Sequence, residues 1–285
     1  VSTDGRFIGW KDVGGRFINS VAVSRDERYV LTEELTDDDH PTKDYHSVLR
    51  LWNATNLWPI RSFAGFTNRL QSVALSPDGR RFATGGSDKT AKVWDASNGS
   101  IVASFSADGS PRVLFTPNGE NLVVAAGGEV PISIWNVNTG RLEKTLRYTW
   151  QSKTEKWWRS IRSFWLSADG NLLIAGDGEG SIRIWNLENG RLVRRMHSES
   201  WDCGNFVATP DGKTLAISTA DRKGIDPNNR WVEIWDIDSG EKQRDIRMER
   251  GSIEPKAYTA DGRHLWTEQH DGSVGVWDVN NGREQ

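Results

Sequence analysis

A tryptophan followed by aspartate or asparagine recurs six times along this chain, at Trp52, Trp94, Trp135, Trp185, Trp235 and Trp277. The intervals between them are 42, 41, 50, 50 and 42 residues. A period of roughly 40–45 residues carrying one such pair marks a propeller blade, a small sheet that cannot bury its faces alone and must stack on copies of itself. The spacing therefore predicts an all-β chain in which each repeat is one four-stranded blade. The 28 glycines and 9 prolines supply the turns that so many short strands require.

Residues 72–99, SVALSPDGRRFATGGSDKTAKVWDASNG, show the unit most clearly. Ser72–Ser76, Phe82–Gly85, Thr90–Trp94 and Ile101–Phe105 read as four strands, with turns at Pro77-Asp78-Gly79, at Ser87-Asp88-Lys89 and ending at Gly99. The first turn recurs as Pro117-Asn118-Gly119, Ala168-Asp169-Gly170, Pro210-Asp211-Gly212 and Ala260-Asp261-Gly262, with Arg25-Asp26-Glu27 in its place in the first repeat. Gly99, Gly140, Gly190, Gly240 and Gly282 each lie five residues beyond their tryptophan, and only Trp52 lacks this glycine. In these motifs (SPDG, GGSDKTAKVWD and the trailing Asn-Gly) the chain resembles the WD40 repeat family over nearly its whole length.

The expected architecture is one WD40-type propeller domain over residues 1–285. Its blades fall at about 20–66, 70–108, 111–148, 160–199, 203–249 and 252–285 plus 1–12. Arg6–Lys11 align with a fourth strand, and only Gly282–Gln285 follow the last Trp-Asp pair. An N-terminal strand closing the sixth blade, as the resemblance implies, would remove two open edges. A seven-bladed ring is the alternative. No Gly-His dipeptide occurs, and Gly65-Phe66 stands at one place where the family has it. The buried Asp, His, Ser/Thr and Trp network that the resemblance implies is thus expected to be incomplete, leaving stability to tryptophan packing and closure.

In a meander the first–second and third–fourth turns share one edge, while the second–third turns and the links between blades share the other. Insertions fall on the second edge. Asp26 to Trp52 is 26 residues and Asp211 to Trp235 is 24, against 16 for Asp78 to Trp94; Trp135 to Asp169 is 34, against 24–26 for equivalent links. Loops at about 33–47, 148–159 and 218–231 thus crowd one edge, and one-sided insertions mark the binding side of a repeat. That face is also the partner platform implied by the resemblance.

The 148–159 loop holds Trp150, Lys153, Lys156, Trp157, Trp158 and Arg159. Tryptophan and arginine dominate interface hot spots, so these are expected partner contacts; packing of one or two rings onto a neighbouring blade is the plainer alternative. The 33–47 loop reads as a solvated acidic loop. Its carboxylates with His40 and His46 match no metal pattern, so no metal is expected. The 218–231 loop is expected to be mobile, with Trp231 tucked against the strand it opens. By the resemblance, further contacts fall just before and inside the first strands, at Arg69, Gln71, Arg162, Trp201, Asp202 and Glu254, with Ser87 and His270 from second–third turns.

Net charge is −3, so no overall basic field draws nucleic acid or membrane, and no apolar stretch approaches the roughly 20 residues of a membrane helix. Cys203 is the only cysteine, aligns with Leu70 and Ile161, and reads as a buried core residue. No nucleophile elbow, phosphate loop, paired-cysteine site or HExxH occurs, so neither catalysis nor a cofactor is expected. The sequence supports a cytoplasmic, monomeric, non-catalytic module that docks a protein or peptide. The start at Val1 leads us to expect a sensor or recruitment domain of a larger signalling or effector protein. Two other readings stay open: an architectural propeller packed on other domains of its own polypeptide, and a nucleic-acid platform built on the Trp and Lys residues of the 148–159 loop.

Overall fold

A computed structural model describes residues 17–36, 46–66, 69–127, 132–147, 161–178, 180–198, 205–220, 230–247, 252–269, 271 and 273–285. These residues form 23 β-strands and, among them, no helix. The chain divides into two compact units, Val1–Tyr148 and Thr149–Gln285. Unit one contains three four-stranded sheets. Blade one is β1 (Phe17–Val23), β2 (Tyr29–Thr36), β3 (His46–Asn53) and β4 (Pro59–Phe66). Blade two is β5 (Leu70–Leu75), β6 (Arg81–Gly86), β7 (Thr90–Asp95) and β8 (Ile101–Ser106). Blade three is β9 (Arg112–Phe115), β10 (Asn121–Ala125), β11 (Ile132–Asn136) and β12 (Leu142–Leu146).

Unit two has the same plan. Blade four is β13 (Ile161–Leu166), β14 (Leu172–Asp177), β15 (Ser181–Asn186) and β16 (Leu192–His197). Blade five is β17 (Phe206–Ala208), β18 (Thr214–Ala220), β19 (Arg230–Asp236) and β20 (Lys242–Ile246). Blade six has three strands, β21 (Ile253–Tyr258), β22 (His264–Gln269) and β23 (Val274–Asp278). Every sheet is an antiparallel meander, so the six-blade, all-β reading of the sequence holds.

Blade six also begins a fourth strand. Glu284 bridges to Trp277, and the Gln285 N–H donates to the Val276 carbonyl at 2.9 Å. Glu284 lies seven residues beyond its tryptophan, the register in which Trp94 pairs Ile101 and Trp235 pairs Lys242. The closing strand expected from Arg6–Lys11 lies outside the described residues, as do Cys203, His40 and the middles of the 33–47 and 218–231 loops.

The turns form as the sequence predicts. Ser76 donates its hydroxyl to Asp78 at 2.7 Å, and the same bond joins Thr116 to Asn118, Thr209 to Asp211 and Thr259 to Asp261. The short side chain caps its own turn, as such residues do. Blade one reaches the same geometry without glycine. Glu27 and Leu57 both hold φ of 57°, where the other repeats place glycines such as Gly79 (φ 68°) and Gly99 (φ 78°).

The core lies between successive sheets of each unit. Leu31, Leu49 and Phe63 of blade one pack with Val73, Leu75 and Phe82 of blade two, and Val93 and Phe105 with Val113 and Leu122 of blade three. In unit two, Ile174 and Ile184 meet Phe206 and Leu215, and Val232 and Ile246 meet Tyr258 and Leu265. Phe82 is wholly buried, 4.6 Å from Phe63 and stacked 5° from parallel on Trp94 at 5.9 Å. Burying such a side chain contributes about 1.5–3 kcal/mol.

Two sequence expectations need correction. The ends of the 33–47 segment are strand, not solvated loop: Glu33 and Glu34 lie in β2 with no exposed surface, and Ser47 is buried in β3. Pairing continues to Thr36↔His46, which carries the carboxylates inward. Buried charge is tolerable only with partners. Ser47 donates to Glu33 at 2.8 Å, and Arg50 lies 3.3 Å from Glu34. Likewise Ser218–Ala220 and Arg230–Trp231 are paired strand, through Ser218↔Val232, Thr219↔Trp231 and Ala220↔Arg230, rather than mobile loop. Trp231 has the Arg247 guanidinium, from beyond β20, 4.1 Å from its ring.

Candidate docking site

Four of the six first strands, β1, β5, β13 and β21, carry a bulge. In β5 the register passes from Leu70↔Gly86 to Ser72↔Gly85, which leaves Gln71 out of the ladder. In β13 it passes from Ile161↔Asp177 to Ser163↔Gly176, which leaves out Arg162. A bulge re-aims the side chain it frees, and bulges cluster beside functional sites for that reason. Two of the sequence-chosen contact residues are thus the residues that each ladder extrudes. In β21 the shift falls two positions later, at Lys256, and Glu254 stays paired opposite Glu268.

The surroundings of these residues differ. Arg69 is exposed and its carbonyl accepts the N–H of Ser87, itself exposed, at 2.9 Å. Arg162 is half-buried, and its Nε makes no hydrogen bond among the described residues. Glu254 is heavily engaged: Asn205 donates to it at 3.1 Å, Arg230 lies at 3.5 Å and Lys256 at 3.4 Å. Lys256 also reaches Glu268 at 2.5 Å. Partial burial works to lower the Lys256 ammonium pKa, but Glu268 and Glu254 outweigh it and hold the group above its usual value. Trp150, Lys153, Lys156, Trp157, Trp158, Arg159, Trp201, Asp202 and His270 lie outside the described residues. Among the described residues no group of three or more His, Cys, Asp or Glu could hold a metal ion.

The tryptophan network is fuller than the sequence suggests. The indole N–H donates to the facing strand's threonine in blades one, two and six: Trp52 to Thr32 at 2.9 Å, Trp94 to Thr84 at 3.0 Å, Trp277 to Thr267 at 2.9 Å. Blades three and five have Val124 and Ile217 at that facing position, and the acceptor moves to the residue two before the tryptophan. Trp135 donates to Ser133 at 2.8 Å and Trp235 to Glu233 at 3.0 Å. The two positions oppose each other across the ladder, as Thr84↔Lys92 and Ile217↔Glu233 do, so either can reach the indole.

Beside Trp135 this face of blade three opens into a pocket of about 280 Å³, lined by Ser106, Asp108, Val124, Ser133, Leu142 and Thr145 among others. Sequence reasoning missed the pocket, although aligning the residues two before each tryptophan (Arg50, Lys92, Ser133, Arg183, Glu233 and Gly275) shows that a long side chain is absent at Ser133 and Gly275.

Meander sheets whose third strand ends on a hydrogen-bonded Trp-Asp or Trp-Asn pair are WD40-type propeller blades. The WD40 family model, WD domain, G-beta repeat, matches residues 57–95, which run through β4 to β7, and residues 147–186, which include β13 to β15. The chain therefore carries WD40 repeats at these two sites. A 96-residue stretch is 32% identical to the small ribosomal subunit protein RACK1 of Brassica napus, covering 33% of this chain and 29% of that protein. A 100-residue stretch is 29% identical to the small ribosomal subunit protein RACK1y of Oryza sativa subsp. japonica, covering 35% of this chain and 29% of that one. The chain thus spans about 29% of the length of these curated relatives.

Proposed function

We propose that the chain acts as a single non-catalytic docking domain, binding a protein or peptide on the edge of its blades that carries the first-strand starts and long loops. The carrying observation is the bulge that turns Gln71 and Arg162 out of their ladders at that edge. The WD40 repeats support the same reading, because rigid rings of such repeats present side chains from many blades to one partner. Arg69, Gln71, Arg162 and the Trp and Arg residues of the 148–159 loop are the proposed contacts, and Glu254 orients its cationic neighbours. We read the chain as a monomeric recruitment domain of a larger signalling or effector protein. The relatives' description as small ribosomal subunit proteins supports a cytoplasmic setting.

The test is affinity capture from a source-cell lysate with wild type and with Trp157→Ala/Trp158→Ala/Arg159→Ala, after thermal melts establish that both are folded. A protein held by wild type and lost by the variant supports the reading. Identical capture by both removes the 148–159 loop from the site, and no capture by either favours an architectural role.

A further inference from the structure

The residue two before each blade tryptophan shares the indole's side of the sheet. Arg50, Lys92 and Arg183 fill this place in blades one, two and four, each beside a carboxylate: Glu34 at 3.3 Å, Asp88 at 2.8 Å and Asp177 at 3.5 Å. Arg50 also lies 5.2 Å from the centre of the Trp52 ring. Glu233 takes the place in blade five. In blade six it is Gly275, where a Cβ would come within 2.7 Å of Gln269 and 2.8 Å of Glu284 and Trp277.

Blade three has no cation at this place and no carboxylate at the place of Glu34 and Asp177. Ser133 stands where the cations stand, and Ala126, two residues beyond Val124, stands where Glu34 and Asp177 stand. The vacated space is the pocket of about 280 Å³ against Trp135. Among the described residues one charged group lines it, the exposed Asp108 carboxylate from the link between β8 and β9. Ser106, Ser133 and Thr145 add hydroxyl oxygens, Val124 and Leu142 add apolar wall, and Phe105 stacks on the Trp135 ring at 4.8 Å. An aliphatic stem ending in a cation fits this lining. The stem lies on apolar wall while the charge meets an aromatic face and a carboxylate.

We propose that this pocket receives the arginine or lysine side chain of a peptide partner, replacing in trans the cation that blades one, two and four supply themselves. The proposal deepens the docking reading, since it names the chemistry of one partner contact. The probes are Nα-acetyl-arginine amide and Nα-acetyl-lysine amide, with neutral Nα-acetyl-citrulline amide as control. They are titrated into the ¹⁵N-labelled full chain while the Trp135 indole N–H resonance, assigned with Trp135→Phe, is followed.

We expect saturable shifts with both cations at ~1–10 mM, the weak range proper to a single side chain, and none with citrulline. Ser133→Arg refills the pocket from within and abolishes them. Asp108→Asn weakens binding about 2- to 5-fold, as for one exposed ion pair. Should Ser133→Arg not fold, Asp108→Asn at its exposed site decides. The proposal is overturned by no saturation at Trp135, by an equal response to citrulline, or by affinity unchanged in a folded variant. Failure here with lysate capture intact would leave the docking reading standing, and the reverse result would separate the two in the other direction.

Discussion

Trp235 donates its indole N–H to Glu233 at 3.0 Å, a buried carboxylate on its own strand that also accepts the Ser198 hydroxyl at 3.0 Å and lies 3.5 Å from the Lys242 ammonium. In blade two the same indole bond crosses to Thr84 on the next strand. Five of the blades therefore keep a hydrogen bond from the tryptophan while moving its acceptor between two facing positions. Removing Glu233 takes away the acceptor of the half-buried indole and one buried partner of the Ser198 hydroxyl, so Glu233→Ala is expected to lower stability by about 1–3 kcal/mol in urea unfolding. Ile217→Thr, which restores the facing hydroxyl, should cost about 1 kcal/mol less in the Glu233→Ala background than in wild type. Additive single and double variants would show that the two positions do not substitute for one another.

Leu57 holds the left-handed backbone that glycine takes five residues beyond the other tryptophans. A side chain there crowds its own carbonyl, and glycine does not. Leu57→Gly is expected to raise stability by about 0.5–1 kcal/mol, read as a higher melting temperature. Glu27→Gly should act in the same direction. Loss of stability in both would mean that their side chains contribute more than the backbone strain takes away.

Acid should weaken the turns. The Ser167 hydroxyl, then the Asn171 N–H, holds the Asp169 carboxyl below its usual pKa. The Thr209 hydroxyl does the same for Asp211 against partial burial, and the Thr259 hydroxyl for Asp261. A folded-state pKa depressed below the unfolded value of about 3.9 stabilises above that pH, and the benefit is lost as pH falls through the folded values. Urea midpoints measured at pH 7 and pH 2.5 should therefore fall less for Asp169→Asn/Asp211→Asn than for wild type. Blade three already builds this turn with Asn118, so the variant turns can form. Equal pH dependence in the two proteins would refute the assignment.

Phe82 joins two blades through Phe63 and Trp94. Phe82→Ala is expected to cost about 3–5 kcal/mol, the range for a wholly buried aromatic truncated in a core. A calorimetric loss below 1 kcal/mol would mean that the interface between these blades closes over the cavity.

Much of the fold is legible in the sequence because each blade is local. Strand, turn and strand follow within a few dozen residues, so Pro77-Asp78-Gly79 and the glycines beyond five of the six tryptophans mark the boundaries directly. The candidate site is less legible. Gln71 and Arg162 can be chosen by resemblance, but the bulges that free them depend on register against β6 and β14, set by contacts that a strand's own residues do not display. Glu33 and Glu34 read as solvated because charge alone says surface. Their burial depends on Ser47 and Arg50 arriving on the neighbouring strand.

The sequence by itself determined the repeat, the placement of its turns and the edge that carries the insertions, since each follows from spacing along the chain. Tertiary structure decided which group accepts each indole proton, which carboxylates lie inside, and that blade three has a pocket beside Trp135. Those outcomes depend on pairs of residues brought face to face by strand register, and Ser133 against Val124 becomes a vacancy only once the two strands are side by side.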